Sequence, residues 1–226
     1  MISIVSMHLQ QIPEPPKGKA GYVYDWLRGQ IMSGQLLPGE ALKQDAIAKQ
    51  LGVSSTPVRE ALRQLGTEGL VTHAQHRGVT VSDLSKNDVE ELYFLRAAME
   101  GVAGRLAARR RSREDLQAME KILVDSESLG FSSENGYEFA RLSREFHDVI
   151  ARAGSPNIIA PKIQQLWLAH PVPGTRSIWH VPEEARSLIV THREVYEAIK
   201  AGNEFEAERL MKRHIEESGT AQISRQ

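Results

Sequence analysis

The sequence contains no cysteine and no long apolar run. Without cysteine the chain has no disulfide, no thiolate metal ligand and no cysteine nucleophile. Without an apolar stretch of roughly eighteen residues, it has no conventional membrane-spanning helix. Residues 1–11 also lack the basic segment followed by an apolar run that marks a secretory leader. We therefore expect a cytoplasmic protein with no membrane partner.

The formal net charge of −1 argues against a purely electrostatic nucleic-acid binder, but the charge is unevenly distributed. Between Lys17 and Ser82 eight Lys or Arg residues stand against five Asp or Glu residues, so this part carries the positive excess. Residues 1–18 have no apolar period and end on proline and glycine, which predicts a flexible lead-in.

Residues 19–82 have the pattern of a small DNA-binding domain. Three short segments with helical spacing of apolar residues come first; the second ends at Gly52 and the third has Pro57 in its first turn. Two β-branched runs, 70–73 and 79–81, then predict a hairpin. This order is that of a winged helix-turn-helix, whose third helix enters the major groove of DNA.

The third helix has an apolar face opposite a polar face that carries Thr56, Arg59 and Arg63. An ordinary amphipathic helix with a solvated face shows the same pattern, so this face alone does not decide the function.

The local sequence LGVSSTPVREALRQL (51–65), followed by EGLV (68–71) and RGVTV (77–81), resembles the GntR family of bacterial transcription regulators. The resemblance implies that the start of the recognition helix and the glycine-bearing wing contact DNA. With Arg63 from the polar face, the candidate DNA-binding residues are Ser54, Ser55, Thr56, Arg59, Arg63, His76, Arg77 and Gly78. Members of the FadR-like branch commonly carry arginine at the position of Ser55, so we expect an altered affinity or operator sequence here.

From Ser85 onward every long segment has helical periodicity and none alternates like a strand. The predicted helices are 86–110, 113–128, 134–153, 156–170, 184–201 and 204–219. The predicted fold class is therefore mostly α: a winged helix-turn-helix (19–82) followed by an all-α helical bundle that binds a ligand (83–226).

Arg96 and Glu100 stand in the middle of an apolar helix face. Their spacing of four residues allows an internal ion pair. Alternatively, Arg96 binds the carboxylate of a ligand inside a pocket. Both interpretations remain open from the sequence.

Three histidines, His147, His192 and His214, lie on the inward faces of three different predicted helices. One buried histidine is more often a hydrogen-bonded core residue than a metal ligand. Three that converge in one bundle favour a shared divalent ion, for which zinc, nickel and manganese are the candidates. An ion with three neutral ligands, together with Arg96, predicts an anionic effector such as a small carboxylate or sugar acid.

Four segments, LRAAME (95–100), FH (146–147), THREV (191–195) and MKRHI (211–215), resemble the FadR C-terminal domain, or FCD domain. Many members of that family hold a divalent metal with three histidines and an aspartate four residues before the first histidine. This chain has Ser143 at that position. The resemblance therefore implies a three-histidine site with an open position for water or effector, and Arg96, Glu100 and Ser143 are the candidate effector residues.

These patterns predict a homodimeric transcription regulator, a repressor rather than an enzyme, that binds double-stranded operator DNA under the control of a small carboxylate. The turn 82–85 is the short joint through which we expect ligand binding to reach the wing. One alternative is a metal-dependent hydrolase or lyase that uses the three histidines, although the chain has no His-Glu-x-x-His run and no Gly-x-Ser-x-Gly elbow. Another is a domain that binds a fatty acyl thioester without metal.

Overall fold

A computed structural model describes residues 18–74, 78–169 and 177–225 of the chain. The predicted lead-in, apart from Gly18, lies outside the described residues, as do His76 and Arg77 of the predicted DNA-binding set. Within the described ranges, no helix is both long enough and apolar enough to cross a membrane.

The N-terminal part, which we call the reading head, has the predicted winged helix-turn-helix order. Its elements are α1 (Lys19–Met32), α2 (Gln44–Leu51), α3 (Ser55–Thr67), β1 (Val71–Ala74) and β2 (Gly78–Val81). The strands pair antiparallel, with Val71 opposite Val81. The loop before α2 braces them, because the Leu42 amide donates to the Val79 carbonyl at 2.8 Å.

A buried apolar cluster fixes α3 in the reading head. Leu27 and Ile31 of α1 and Leu62 and Leu65 of α3 are at most 2% exposed and belong to this cluster. α2 ends at Gly52, whose φ of 65° is a left-handed conformation that glycine adopts without strain. The tight turn that follows leads directly into α3, so the face of α3 opposite the core is turned to solvent.

The C-terminal part is all-helical in its described residues, as predicted. Its helices are α4 (Lys86–Arg110), α5 (Arg113–Ser128), α6 (Gly136–Gly154), α7 (Ile159–Ala169), α8 (Pro182–Ala201) and α9 (Glu204–Ile223). Short 3₁₀ turns precede α6 and α8. The fold class predicted from the sequence is confirmed.

α4 is the central helix of this bundle and packs mainly against α9 and α6. Gly104 allows the close approach to α9, because a Cβ atom there would lie 3.2 Å from the Ala207 carbonyl oxygen. A Ser85–Asp88 capping box begins α4 only a few residues after the wing. The joint between the reading head and the bundle is therefore short.

Candidate functional site

The exposed side of α3 carries the predicted DNA-binding residues of the recognition helix. Ser54, Ser55 and Thr56 lie exposed at its start, and the Ser54 side chain does not cap the helix. Arg59 and Arg63 are also exposed, and neither forms an ion pair within the described ranges. Free amide groups at a helix start, followed by unpaired guanidinium groups, suit phosphate oxygens and base edges.

The wing is described only at its base. The strand register places Ala74 opposite Gly78, and the Thr72 and Thr80 hydroxyls lie 3.0 Å apart. Gly78 is exposed with a φ of 76°, a left-handed conformation suited to the end of a hairpin turn.

The three predicted histidines meet inside the bundle. His147 on α6, His192 on α8 and His214 on α9 are each at most 4% exposed. Nε2 of His192 lies 3.0 Å from Nε2 of His147 and 3.1 Å from Nε2 of His214. One nitrogen from each ring lies within 4.8 Å of the other two, so the rings are placed to share one ion.

The outer nitrogens of two of these rings have hydrogen-bond partners. Nδ1 of His147 lies 2.6 Å from Oε2 of Glu100, and Nδ1 of His214 lies 2.6 Å from the Thr191 hydroxyl. That hydroxyl donates its own proton to the Leu188 carbonyl at 2.9 Å, so it accepts from Nδ1–H of His214. In their neutral forms, both rings therefore turn an Nε2 lone pair toward the cluster.

The three Nε2 atoms cannot all be hydrogen-bonded to one another, because too few of them carry a proton in the neutral rings. A proton on Nε2 of His192 cannot make two full hydrogen bonds, to His147 and to His214, at once. Burial, followed by the charge of neighbouring histidines, lowers the pKa of both His192 and His214 well below 6.5. Neutral imidazoles with shared lone pairs are the donor set that a divalent metal takes, so the residues fit such an ion.

Glu100 connects this cluster to Arg96. Its Oε1 accepts from Nε of Arg96 at 2.9 Å and from the indole N–H of Trp167 at 3.1 Å. Burial by itself raises the pKa of Glu100, but Arg96 and His147 together outweigh that effect and lower it to about 2. The internal ion pair that was one of the two interpretations of Arg96 is thus present.

A cavity of about 350 Å³ opens beside the histidine cluster. Arg96, Ser143 and His147 line it, so the structure brings these predicted site residues together, with Glu100 directly behind them. Ser143 is 8% exposed, and its hydroxyl has no hydrogen-bond partner in the described parts of the chain. Four large aromatic side chains also line the cavity: Tyr93, Tyr137, Trp167 and Trp179.

Several residues of this site were missed from the sequence. Thr191, which orients His214, and Trp167, which binds Glu100, lie on helices other than those of their partners. No spacing rule within one helix could have paired them. Arg144 also lines the cavity, although its sequence position gave no signal.

Two family models together match most of the chain. The model described as bacterial regulatory proteins, gntR family, matches residues 19–81, and that of the FCD domain matches residues 91–217. The chain belongs to the GntR family. The match to the FCD domain covers more than half of the chain and includes all three histidines of the cluster.

A relative named as a transcriptional repressor agrees with this assignment, and a solved structure shares the fold. The probable D-xylose utilization operon transcriptional repressor of Paenarthrobacter nicotinovorans is 30% identical over 198 residues, which cover 87% of this chain and 85% of that protein. The uncharacterized regulator YdhC of Bacillus subtilis (strain 168) is 32% identical, but the match covers 56% of this chain and 57% of YdhC. The solved structure of E. coli McbR/YncC superposes with a TM-score of 0.68 at 24% identity, over 88% of this chain and 94% of that one.

As a GntR-family protein with an FCD domain, the chain is a DNA-binding transcription regulator and not an enzyme. The hydrolase or lyase alternative finds no support among the relatives, which are named as transcription regulators.

Proposed function

We propose that this GntR regulator is a homodimeric repressor that releases or retains its operator according to a small carboxylate bound beside a metal ion in the FCD domain. The observation that carries the proposal is the convergence of three buried Nε2 atoms, one of them from His147, which lines the cavity together with Arg96. The exposed arginines of α3, Arg59 and Arg63, would contact the operator DNA.

The donor set supports zinc or nickel more than manganese. The cluster offers three imidazole nitrogens, and the nearest carboxylate, that of Glu100, is held away by Arg96, Trp167 and Nδ1 of His147. Imidazole suits zinc and nickel, whereas manganese favours carboxylate and water oxygens. The metal would supply, next to the cavity, a positive charge that no carboxylate of the described residues would contact directly.

That charge supports an anionic effector. The Arg96 guanidinium is balanced by Glu100, so the two charges of the ion remain for a ligand carboxylate to offset. Aromatic walls would cover the apolar part of the acid, and the unpartnered Ser143 hydroxyl is placed to bind one of its oxygens.

A second copy of the chain would complete the DNA-binding form. The outer side of α4 exposes Phe94, Leu95, Ala98 and Val102, an apolar stripe with no partner among the described helices. A two-fold pair through this stripe would bury it and present two copies of α3 to the half-sites of an inverted repeat.

The proposed role of α3 in DNA binding is tested by titrating the protein with operator DNA at several salt concentrations. Arg59→Ala should weaken binding and reduce the salt dependence by about one phosphate contact, or relax sequence specificity if the contact is to a base. Lys121→Ala removes the same charge from α5 and is the matched control. Equal behaviour of Arg59→Ala and wild type at every salt concentration would refute the role of Arg59.

The metal is tested by elemental analysis of the purified protein and by melting the metal-free protein with added zinc, nickel or manganese. We expect stabilisation by zinc or nickel, since an ion that binds only the folded state stabilises it by mass action. A protein purified without metal and not stabilised by any of the three ions would refute the site.

A further inference from the structure

Arg144 is a cavity-lining arginine without a counter-ion. It lines the same cavity as Ser143 and His147, and its guanidinium lies 5.7 Å from the centre of the Trp167 ring. The side chain is exposed, and no carboxylate pairs with it in the described part of the chain. The charged groups that act on it most are Arg28 and Arg96, which are both cations.

Among the described residues, two other arginines line the cavity, and both are already neutralised. Arg96 donates to Glu100, and Arg141 forms ion pairs with Glu138 and Glu145 at 2.7 Å each. Of the three arginines that line the cavity within the described ranges, Arg144 is therefore the one without an ion pair. A carboxylate bound there would relieve the repulsion from the neighbouring cations and gain a charge-assisted hydrogen bond.

The residue before Arg144 points to the same ligand. Ser143 is 8% exposed and lines the cavity, and its hydroxyl has no hydrogen-bond partner in the described ranges. A free hydroxyl and a free guanidinium thus stand side by side in the sequence, one turn before His147 on α6. Both line the cavity without a hydrogen-bond or ion-pair partner in the described part of the chain.

We infer that the effector is a diacid, with one carboxylate at the histidine cluster and the second held by Arg144 with help from the Ser143 hydroxyl. This inference rests on the proposed function, since it names the ligand class of the same site. It assigns the specificity for a second acid group to Arg144 rather than to Arg96, whose charge Glu100 already balances.

The test compares matched acids on the zinc-loaded full-length protein. Succinate, glutarate and adipate are titrated calorimetrically beside butyrate, pentanoate and hexanoate, which have the same number of carbons and one acid group fewer. The metal content is measured after each titration, because diacids also chelate zinc. We expect at least one diacid to bind about 10- to 100-fold more tightly than its monoacid, the range for a hydrogen bond to a charged group.

Arg144→Gln should abolish this preference, and Arg144→Lys should retain part of it. Arg141→Gln is the matched control: it removes a neutralised arginine from the same helix and cavity and should keep the preference. If no acid binds wild type, the carboxylate effector and this inference both fall. If monoacids bind as tightly as diacids, or if Arg144→Gln keeps the preference, the inference alone is wrong.

Discussion

The orientation of two of the histidine rings, those of His147 and His214, depends on a hydrogen bond outside the cluster. Thr191 is fixed as an acceptor because its own proton goes to the Leu188 carbonyl, and it holds Nδ1–H of His214. Partners of this kind typically change metal affinity by about 10- to 100-fold. Thr191→Val, which keeps the shape and removes the acceptor, should therefore weaken zinc binding by that factor in a chelator competition. Thr220→Val, on the exposed surface of α9, is the control and should bind zinc as tightly as wild type. Equal zinc affinities of Thr191→Val and wild type would show that Thr191 does not orient the ring.

Because of these buried histidines, we expect the metal-free protein to lose folding stability in acid. Burial and neighbouring histidines lower the folded-state pKa of His192 and His214 below 6.5, so the unfolded chain binds more protons as the pH falls through that value. Their stabilising effect is complete above about pH 6.5 and is lost on acidification. Glu100, with a pKa of about 2, loses its contribution only below its ordinary value of 4.5.

Urea unfolding of the metal-free protein at pH 7.5 and 5.5 checks this expectation. Wild type should lose stability between the two pH values, and His192→Gln should lose less because it removes one of the two titrating groups. A variant and a wild type with the same pH dependence would contradict the assignment of this loss to the buried histidines.

Residue-level prediction from the sequence succeeded where a single helix determines the answer. Helical periodicity predicted that His147, His192 and His214 face the interior, and all three are buried. The spacing of four residues predicted that Arg96 and Glu100 could form an ion pair, and the structure contains that pair. The second oxygen of Glu100 could not be placed on His147, because that contact depends on how α4 and α6 pack.

At the scale of single helices, the exposed stripe of α4 carries the dimer prediction. Val102→Glu places a charge within the stripe and should shift the protein toward monomer, since an isolated charge in an apolar interface is desolvated without a partner. Val124→Glu makes the same change at another exposed valine, on α5, and should leave the dimer intact. Light scattering across a dilution series measures the molar mass and so the strength of dimerisation. If Val102→Glu dimerised as tightly as wild type, the dimer interface would have to lie elsewhere.

Helix existence was predictable from periodicity, but several helix ends were not. The helix predicted over 156–170 begins at Ile159, because the Ser155 hydroxyl accepts its amide and residues 156–158 form a turn. α9 was predicted to end at residue 219 but continues to Ile223. There the buried Gln222 side chain accepts from the Ile178 amide at 3.3 Å. These ends are set by contacts with other segments, which a pattern within one helix does not contain.

At the scale of the whole molecule, the proposed function requires a route by which an acid bound in the bundle would change DNA binding. The sequence indicated only the joint 82–85 as a route. The structure adds a second route, because Met32 at the end of α1 lines the cavity beside the histidine cluster, together with Leu92 and Tyr93 of α4. Met32 also packs against the core of the reading head that supports α3. An acid bound in the cavity, as proposed, would therefore contact a side chain of the reading head directly.

Met32→Ser should accordingly reduce the ratio between operator dissociation constants measured with and without the acid. A ligand shifts DNA binding only through its different affinity for the two states, which is typically about 1–3 kcal/mol, and a shortened polar side chain removes apolar contact through which that difference would act. Leu37→Ser, at an exposed position just beyond α1 that does not line the cavity, is the control and should keep the wild-type ratio. Fluorescence anisotropy with a labelled operator gives both constants. An undiminished ratio in Met32→Ser would leave the joint 82–85 as the route by which the ligand acts on the wing.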